Sequence, residues 1–380
     1  MDGQLQCRQR ENGYSAYCCK NDHKIKEIHH SCRDRGCTVC GARKRQQWLE
    51  KQNQRLLNCE HFHLVFTLPS EYRVLWLYNR KWFIQTQFKV VSETLKDLLE
   101  SGKGKDFLGA TPGFVCALHT WGRQLNLHPH IHCLITAGGL DKKNNWKAVE
   151  GDFLLPIRVL KSLYRGKFQA HIKALLESGE VNLPPKDTLE GWLTIHKDVY
   201  KKQWSVRIQE KYSHGKGVLN YLSRYLSGSP IKPQQIVSMT AKEVSFRYKD
   251  HRDGKTKVLH LKKEEFMRRY LMHQPERGVH TFRYYGLYGS QVQEKRQVAQ
   301  SHLGHSQYQQ AGNKLWHGLN DAYEVLCECC GTAMALSYVA FRQRIEKPLI
   351  KESLQSPLII NVQQVGQDRP TYSGLGLNSS

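Results

Sequence analysis

The octapeptide His128-Pro129-His130-Ile131-His132-Cys133-Leu134-Ile135 constrains this chain more than any other stretch. Side chains alternate across a β-strand, so His130 and His132 leave the same face about 7 Å apart along the chain axis. Ile131, Cys133 and Ile135 leave the opposite face and read as buried. A single histidine so placed would be an ordinary surface residue. Three at alternate positions beside a hydrophobic strand predict that His130 and His132 hold one divalent cation. His128 shares their parity, although Pro129 blurs the start of the strand. Imidazole suits Zn, Mn, Fe or Ni, and Mg only with added oxygen ligands or water, so the motif leaves the metal open.

The surrounding pattern predicts the architecture. A β-rich run over residues 62–68 is stopped by Pro69, and residues 71–100 have helical spacing. Strand-like runs at Phe114–Trp121 and His130–Thr136 flank a polar connection, and Ala137-Gly138-Gly139-Leu140-Asp141 reads as a turn or loop. A helix is expected over 157–177, another over Val218–Leu226, and a hairpin where Val244–Tyr248 and Lys257–Leu261 bracket Asp253-Gly254. Lys262–Met272 reads as a short helix, and Ala42–Leu49 as a basic one. The expected fold is therefore α+β, a mainly antiparallel central sheet flanked by helices. Residues 1–58 read as a small Cys-rich module, 59–290 as the main domain and 291–380 as an extension whose final stretch is expected to be disordered.

A second local signal is Tyr221-Leu222-Ser223-Arg224-Tyr225. Positions i and i+4 share a helix face, so both hydroxyls would project to one side. Tyrosines so spaced are usually packing residues. Lys216 and Arg224 nearby could seat a phosphate, which leaves a catalytic reading open.

Charge narrows the partner. Lys and Arg number 57 against 34 Asp and Glu, a formal net charge of +23, and such a surplus repels itself unless a polyanion is bound. Nucleic acid is the partner expected. No apolar run reaches membrane-span length and the start is polar, so no membrane partner and a reducing cytoplasm, close to the nucleoid, are expected. The twelve cysteines then read as metal ligands or core residues rather than disulfides. Six lie in the first forty residues. Cys327-Glu328-Cys329-Cys330-Gly331 contains half a zinc knuckle without a partner pair and reads as unligated.

Together the histidine strand and the tyrosine helix resemble the HUH endonucleases, in which a His-hydrophobic-His strand presents a metal beneath a helix bearing one or two tyrosines. The order here, histidines first, is similar to the transposase and replication-initiator branch; relaxases place the tyrosine earlier. Finer strings resemble the two-tyrosine, IS91-like transposases of rolling-circle insertion sequences: His119-Thr120-Trp121-Gly122-Arg123, His128-Pro129-His130-Ile131-His132 with Gly138-Gly139, Tyr221-Leu222-Ser223-Arg224-Tyr225, and Arg283-Tyr284-Tyr285-Gly286-Leu287-Tyr288. The likeness spans roughly residues 14–290. That family carries a zinc-binding module before its nuclease, and Cys32, Cys37 and Cys40 match its second Cys group, with knuckle spacing at Cys37-x-x-Cys40. Its first group is a clean Cys-x-x-Cys. This chain has Cys18-Cys19-Lys20-Asn21-Asp22-His23 instead, so the resemblance implies Cys18 or Cys19 with His23, or with Asp22, in place of a thiolate.

The resemblance implies a transposase that nicks and rejoins single-stranded DNA, with Tyr221 and Tyr225 attacking in turn to leave a 5′-phosphotyrosine. It also implies Mg2+ or Mn2+ on His130 and His132, and Zn2+ in the amino-terminal module. A third ligand is needed at the nuclease site, and His119 and Gln124 are candidates. Arg33, Arg35, Arg43, Lys44 and Arg45 would contact the element's end, and Lys216 and Arg224 the scissile phosphate. Single-stranded ends and target are the expected substrate, with host replication or helicase factors as helpers, since no Walker-type loop is present. Two other readings stay open at this point: a rolling-circle replication initiator with the same chemistry, and a non-enzymatic zinc-containing DNA-binding regulator.

Overall fold

A computed structural model describes residues 7–32, 37–100, 104, 107–213, 230–231, 233–250, 252–274, 278–304 and 325–341. The chain forms two compact units, one from residues 33–320 and one that joins the two ends, 1–32 and 321–380.

The larger unit is built on a six-stranded sheet. Its strands are β3 (His61–Thr67), β4 (Thr111–Trp121), β5 (Leu127–Leu140), β6 (Trp146–Ala148), β7 (Val206–Tyr212) and β11 (Phe282–Gly286). The order is β11-β4-β5-β3-β7, with β6 on the end of β5 and every pairing antiparallel. The α+β expectation holds. Alternation divides the sheet into two faces. Phe62, Leu64 and Phe66 of β3, Phe114, Cys116 and Leu118 of β4, and Ile131, Cys133 and Ile135 of β5 enter one apolar core.

That core is closed by helices α3 (Arg80–Leu99), α4 (Ile157–Ser178) and α5 (Leu189–Lys201). Helix α4 contributes Leu160, Tyr164, Phe168, Ile172 and Leu176, an unbroken i, i+4 stripe. Each such side chain is worth about 1.5–3 kcal/mol when removed from water. The helical stretch expected over 71–100 is interrupted. Helix α2 (Arg73–Tyr78) ends at Asn79, whose φ of −128° leaves the helical region. Its side-chain amide donates to the carbonyls of Leu75 and Asn182 at 2.9 and 2.8 Å, and Asn182 N–H returns a bond to Asn79 Oδ1 at 2.9 Å. These bonds satisfy the groups that a break exposes.

Helix α1 (Thr38–Arg55) lies on the other face of the sheet, where Trp48 and Leu49 pack with Ala117 and Leu134. Trp48 Nε1 donates to Tyr284 Oη at 2.7 Å, so the edge strand β11 is tied to it. The Gly138-Gly139 stretch is strand rather than loop. A Cβ on Gly139 would stand 2.5 Å from Thr111 O, and one on Gly138 2.6 Å from Lys147 O, so β4 and β6 approach β5 too closely for any side chain.

A satellite sheet, β8 (Ile236–Met239), β9 (Glu243–Lys249) and β10 (Thr256–Lys262), with helix α6 (Lys263–Met272), fulfils the hairpin expected around Asp253-Gly254. Its small core of Val244, Phe246, Leu261 and Phe266 takes in Leu125 from the β4–β5 connection. Helix α7 (Gln293–Leu303) follows β11. The expected Val218–Leu226 helix and the end of the carboxyl-terminal extension lie outside the described residues.

In the smaller unit, β1 (Gly13–Cys18) is the central strand between β2 (Ile25–His29) and β12 (Ala335–Phe341), both antiparallel to it. None of the twelve cysteines forms a disulfide.

Candidate functional site

The face of the main sheet opposite the large core carries a cluster of imidazoles. His119 of β4 stands directly across from His130 of β5, and His132 follows two residues later on the same face. Ring centroids are 5.0 Å apart for His119 and His130, 4.1 Å for His119 and His132, and 4.8 Å for His130 and His132. One ring nitrogen from each lies within 4.8 Å of the others, a grouping able to hold a metal ion. His130 is the most open of the three, at 9% exposure against 2% and 4%, so approach to the cluster is from its end.

Burial sets the chemistry. Loss of water pushes His130 down to about 3, and it pushes His119 and His132 well below the usual imidazole range, with neighbouring histidines adding to the effect. All three are therefore neutral near pH 7, the form that ligates metal. The carbonyl of His128 lies 2.6 Å from His130 Nδ1; a carbonyl only accepts, so Nδ1 carries the proton and Nε2 keeps its lone pair for a ligand. His132 Nδ1 meets His63 Nε2 of β3 at 2.8 Å, which leaves Nε2 of His132 on the cluster side of the ring. The donor set fits a divalent cation.

Other histidines are spoken for. Arg73 donates to His128 Nδ1 at 3.0 Å, and burial followed by that guanidinium lowers His128 to about 4. A lone pair used in this way is not available to an ion, which removes His128 from the ligand set despite its parity. His273 donates through Nε2 to Leu125 O at 3.0 Å and accepts from Thr120 Oγ1 at 3.1 Å, bracing the β4–β5 connection. Gln124, the other suggested third ligand, lies in that connection, where its backbone carbonyl accepts from Arg269 at 3.0 Å. His119 is the candidate that the fold groups with His130 and His132.

The string Arg283–Tyr288 has a supporting part. Tyr285 stacks on Phe114 at 5.0 Å in the core. Tyr288 Oη donates to His61 Nε2 at 2.7 Å and accepts from Leu57 N–H at 3.2 Å, while His61 Nδ1 donates to Cys59 O at 2.8 Å. Gly286 lets the chain turn between Tyr285 and Tyr288. Its φ is +54°, and a Cβ there would lie 1.8 Å from Pro112 O.

Tyr221, Tyr225, Lys216, Arg224, Arg33 and Arg35 lie outside the described residues. Arg43, Lys44 and Arg45 fall on α1, with their backbone alone described. The sequence did not single out His63, although His61 and His63 alternate along β3 just as His130 and His132 do along β5.

The cysteines are distributed differently from expectation. In the smaller unit Cys32 N–H points at Cys7 Sγ, 3.4 Å away, so Cys7, unremarked in the sequence, stands beside a predicted ligand. Cys37 caps helix α1 and Cys40 lies in its first turn, both buried. Cys19 and His23 are grouped with Cys327 and Cys330, whereas Cys18 and Asp22 are in no such group. Cys19 and His23 were expected beside Cys32, Cys37 and Cys40, and Cys327 and Cys330 to be unligated. What sequence could not show is that β12 returns alongside β1 and carries its knuckle there.

Comparison with known proteins finds two families along the chain. A family described as "Putative transposase" matches residues 113–296, which include the histidine cluster, and one described as "Transposase zinc-binding domain" matches residues 1–68. The chain is 32% identical over 299 residues to the "Putative transposase y4qJ" of Sinorhizobium fredii, covering 76% of this chain and 74% of that protein. It is 30% identical over 298 residues to the "Transposase for insertion sequence element IS801" of Pseudomonas savastanoi pv. phaseolicola, covering 76% and 69%. No solved structure matches. Among the described residues no helix is long and apolar enough to cross a membrane. With both domains matched and two relatives aligned over most of their length, the chain belongs to the IS91-like transposases that carry an amino-terminal zinc-binding domain.

Proposed function

We propose that this transposase nicks and rejoins single-stranded DNA at the ends of its element through a 5′-phosphotyrosine, in a rolling-circle reaction. What supports the reading most is the trio His119, His130 and His132, three buried neutral imidazoles grouped on one sheet face. A divalent cation held there, Mg2+ or Mn2+, would supply positive charge next to a phosphate oxygen.

Tyr221 or Tyr225 is the nucleophile. Its phenol oxygen forms a bond to phosphorus as the P–O3′ bond breaks, the phenol proton is lost and the 3′ oxygen gains one. One phosphodiester replaces another, so the cut is reversible and the second tyrosine can take a second strand. His130, with Nδ1 fixed by the His128 carbonyl, and His132, braced by His63, present their other nitrogens in set orientations. Lys216 and Arg224 seat the phosphate, and Arg33, Arg35, Arg43, Lys44 and Arg45 grip the DNA end by phosphate contacts. Cys32, Cys37 and Cys40 hold the zinc of the amino-terminal domain. Host unwinding supplies the single strand, and the protein acts in the bacterial cytoplasm at the nucleoid.

The test is incubation with Mn2+ and labelled single-stranded element ends. A protein–DNA adduct stable to denaturation is expected, absent in the double variant Tyr221→Phe/Tyr225→Phe and in His130→Ala. Salt-sensitive binding with no adduct under any metal would sink the reading.

A further inference from the structure

Cys19, His23, Cys327 and Cys330 belong to one unit, yet they come from opposite ends of the sequence. Cys19 Sγ lies 3.6 Å from Cys330 Sγ and 3.7 Å from His23 Nδ1, and His23 Nδ1 is 3.9 Å from Cys327 Sγ. A disulfide would bring two sulfurs to about 2 Å, so the 3.6 Å pair is no disulfide. The distances suit a tetrahedron: with zinc–sulfur bonds of about 2.3 Å, its edges are about 3.8 Å.

The backbone is shaped for this. Gly331, at φ +69°, donates its N–H to Cys327 O at 2.8 Å, and Cys327 N–H donates to Thr332 O at 2.9 Å, closing a tight knuckle over Cys327-x-x-Cys330. On the other side Asp22, at φ +52°, donates to Cys19 O at 3.1 Å, and the Asn21 N–H points at Cys19 Sγ, 3.4 Å away. An N–H aimed at sulfur stabilises a thiolate. Lys26 pairs with Glu328 at 3.2 Å across the same junction.

We propose that Cys19, His23, Cys327 and Cys330 bind a second zinc ion, apart from the one proposed for Cys32, Cys37 and Cys40. It clasps the knuckle at 327–330 to the turn at 19–23, where β12 pairs with β1. Loop closure over some three hundred residues is the kind of constraint that stabilises most by chain entropy. The site makes the zinc-binding domain a composite of the chain's two ends.

The test is zinc content of the purified full-length protein by elemental mass spectrometry, read as differences. Cys327→Ser/Cys330→Ser should lose one zinc equivalent per chain. Cys19→Ser/His23→Ala should lose one, and the four changes together no more than one. Cys329→Ser, at an exposed thiol outside the group, should lose none. Unchanged zinc in the Cys327/Cys330 variant would overturn the site. Because that variant could misfold, unaltered protein is also alkylated with iodoacetamide with and without a zinc chelator, and its peptides are mapped. Cys330 should be protected until the chelator is added while Cys329 reacts throughout; equal labelling of Cys330 under both conditions is the contrary result.

Discussion

His63 touches no substrate, yet it bears on the metal site proposed for His119, His130 and His132. Its Nε2 lies 2.8 Å from His132 Nδ1. Ligation through Nε2 needs the proton of His132 on Nδ1, and donation from there to His63 holds the ring in that orientation. Partners of this kind are worth about 10–100-fold in metal affinity. His63→Ala should weaken Mn2+ binding by roughly that factor, measured by titration calorimetry, while circular dichroism stays native. His63→Gln, whose amide oxygen can still accept from His132 Nδ1, should recover part of the loss; equal affinity in the wild type and the alanine variant would reduce His63 to packing. His61, two residues earlier on the same face, is one of several buried histidines that make stability depend on acid. Burial lowers it from 6.5 to about 4. Below pH 6.5 the unfolded chain therefore binds the extra proton and the folded chain does not, so stability falls with pH until the folded group titrates near 4. The loss is on the order of 3 kcal/mol. Thermal melts of the metal-free protein from pH 7 to pH 4 should show it, and His61→Gln should make that slope shallower by the share of His61, the rest coming from the other buried histidines.

At the scale of elements, glycines fix how closely strands approach. Gly139→Ala would put a methyl 2.5 Å from Thr111 O, and Gly286→Ala would put one 1.8 Å from Pro112 O, against backbone in both cases. Each should cost about 2–4 kcal/mol, read as a lower urea midpoint with an unchanged slope. Gly151→Ala, with nothing within 4 Å, serves as a comparison for the loss of glycine alone, although its φ of +61° carries strain of its own. These positions also mark where the sequence could be read and where it could not. The alternation at 130–135 gave the two faces of β5 correctly, because period two is a local property. Gly138-Gly139 looked like a loop, because glycine marks both turns and crowded strands, and only the neighbours β4 and β6 decide between them. Residues 71–100 had helical spacing throughout, and nothing local announced that Asn79 would find Asn182 and break the helix. β1 and β2 went unseen, their burial pattern being too mixed for a period. His119 was named but not placed, since its position opposite His130 is a matter of register between strands.

At the scale of the whole molecule, the charge of +23 and the meeting of the chain ends each carry a consequence. Polyanion binding by such a chain releases counterions, and the logarithm of affinity for a single-stranded end should fall linearly with the logarithm of salt. Neutralising Arg43, Lys44 and Arg45 to alanine should reduce that slope by about 2 if all three contact phosphate, and fluorescence anisotropy over a salt series would measure it. The chain ends present a different problem. β1 is a central strand, with β12 on one side and β2 on the other, and Tyr14 and Ala16 are buried within that sheet. A chain ending at Asn320 keeps every histidine of the cluster but lacks β12 and the 327–330 knuckle. One side of β1 then becomes an open edge with unpaired N–H and C=O groups, which invites pairing with another chain. The shortened protein should be cut by protease within residues 13–29 and should aggregate faster than full-length protein in light scattering. Its larger unit should still unfold with a transition of its own, since among the described residues the core of α3, α4 and the sheet contains none beyond 320. A truncated chain that resists protease at 13–29 as well as the intact one would mean that β1 and β2 are held by something other than β12.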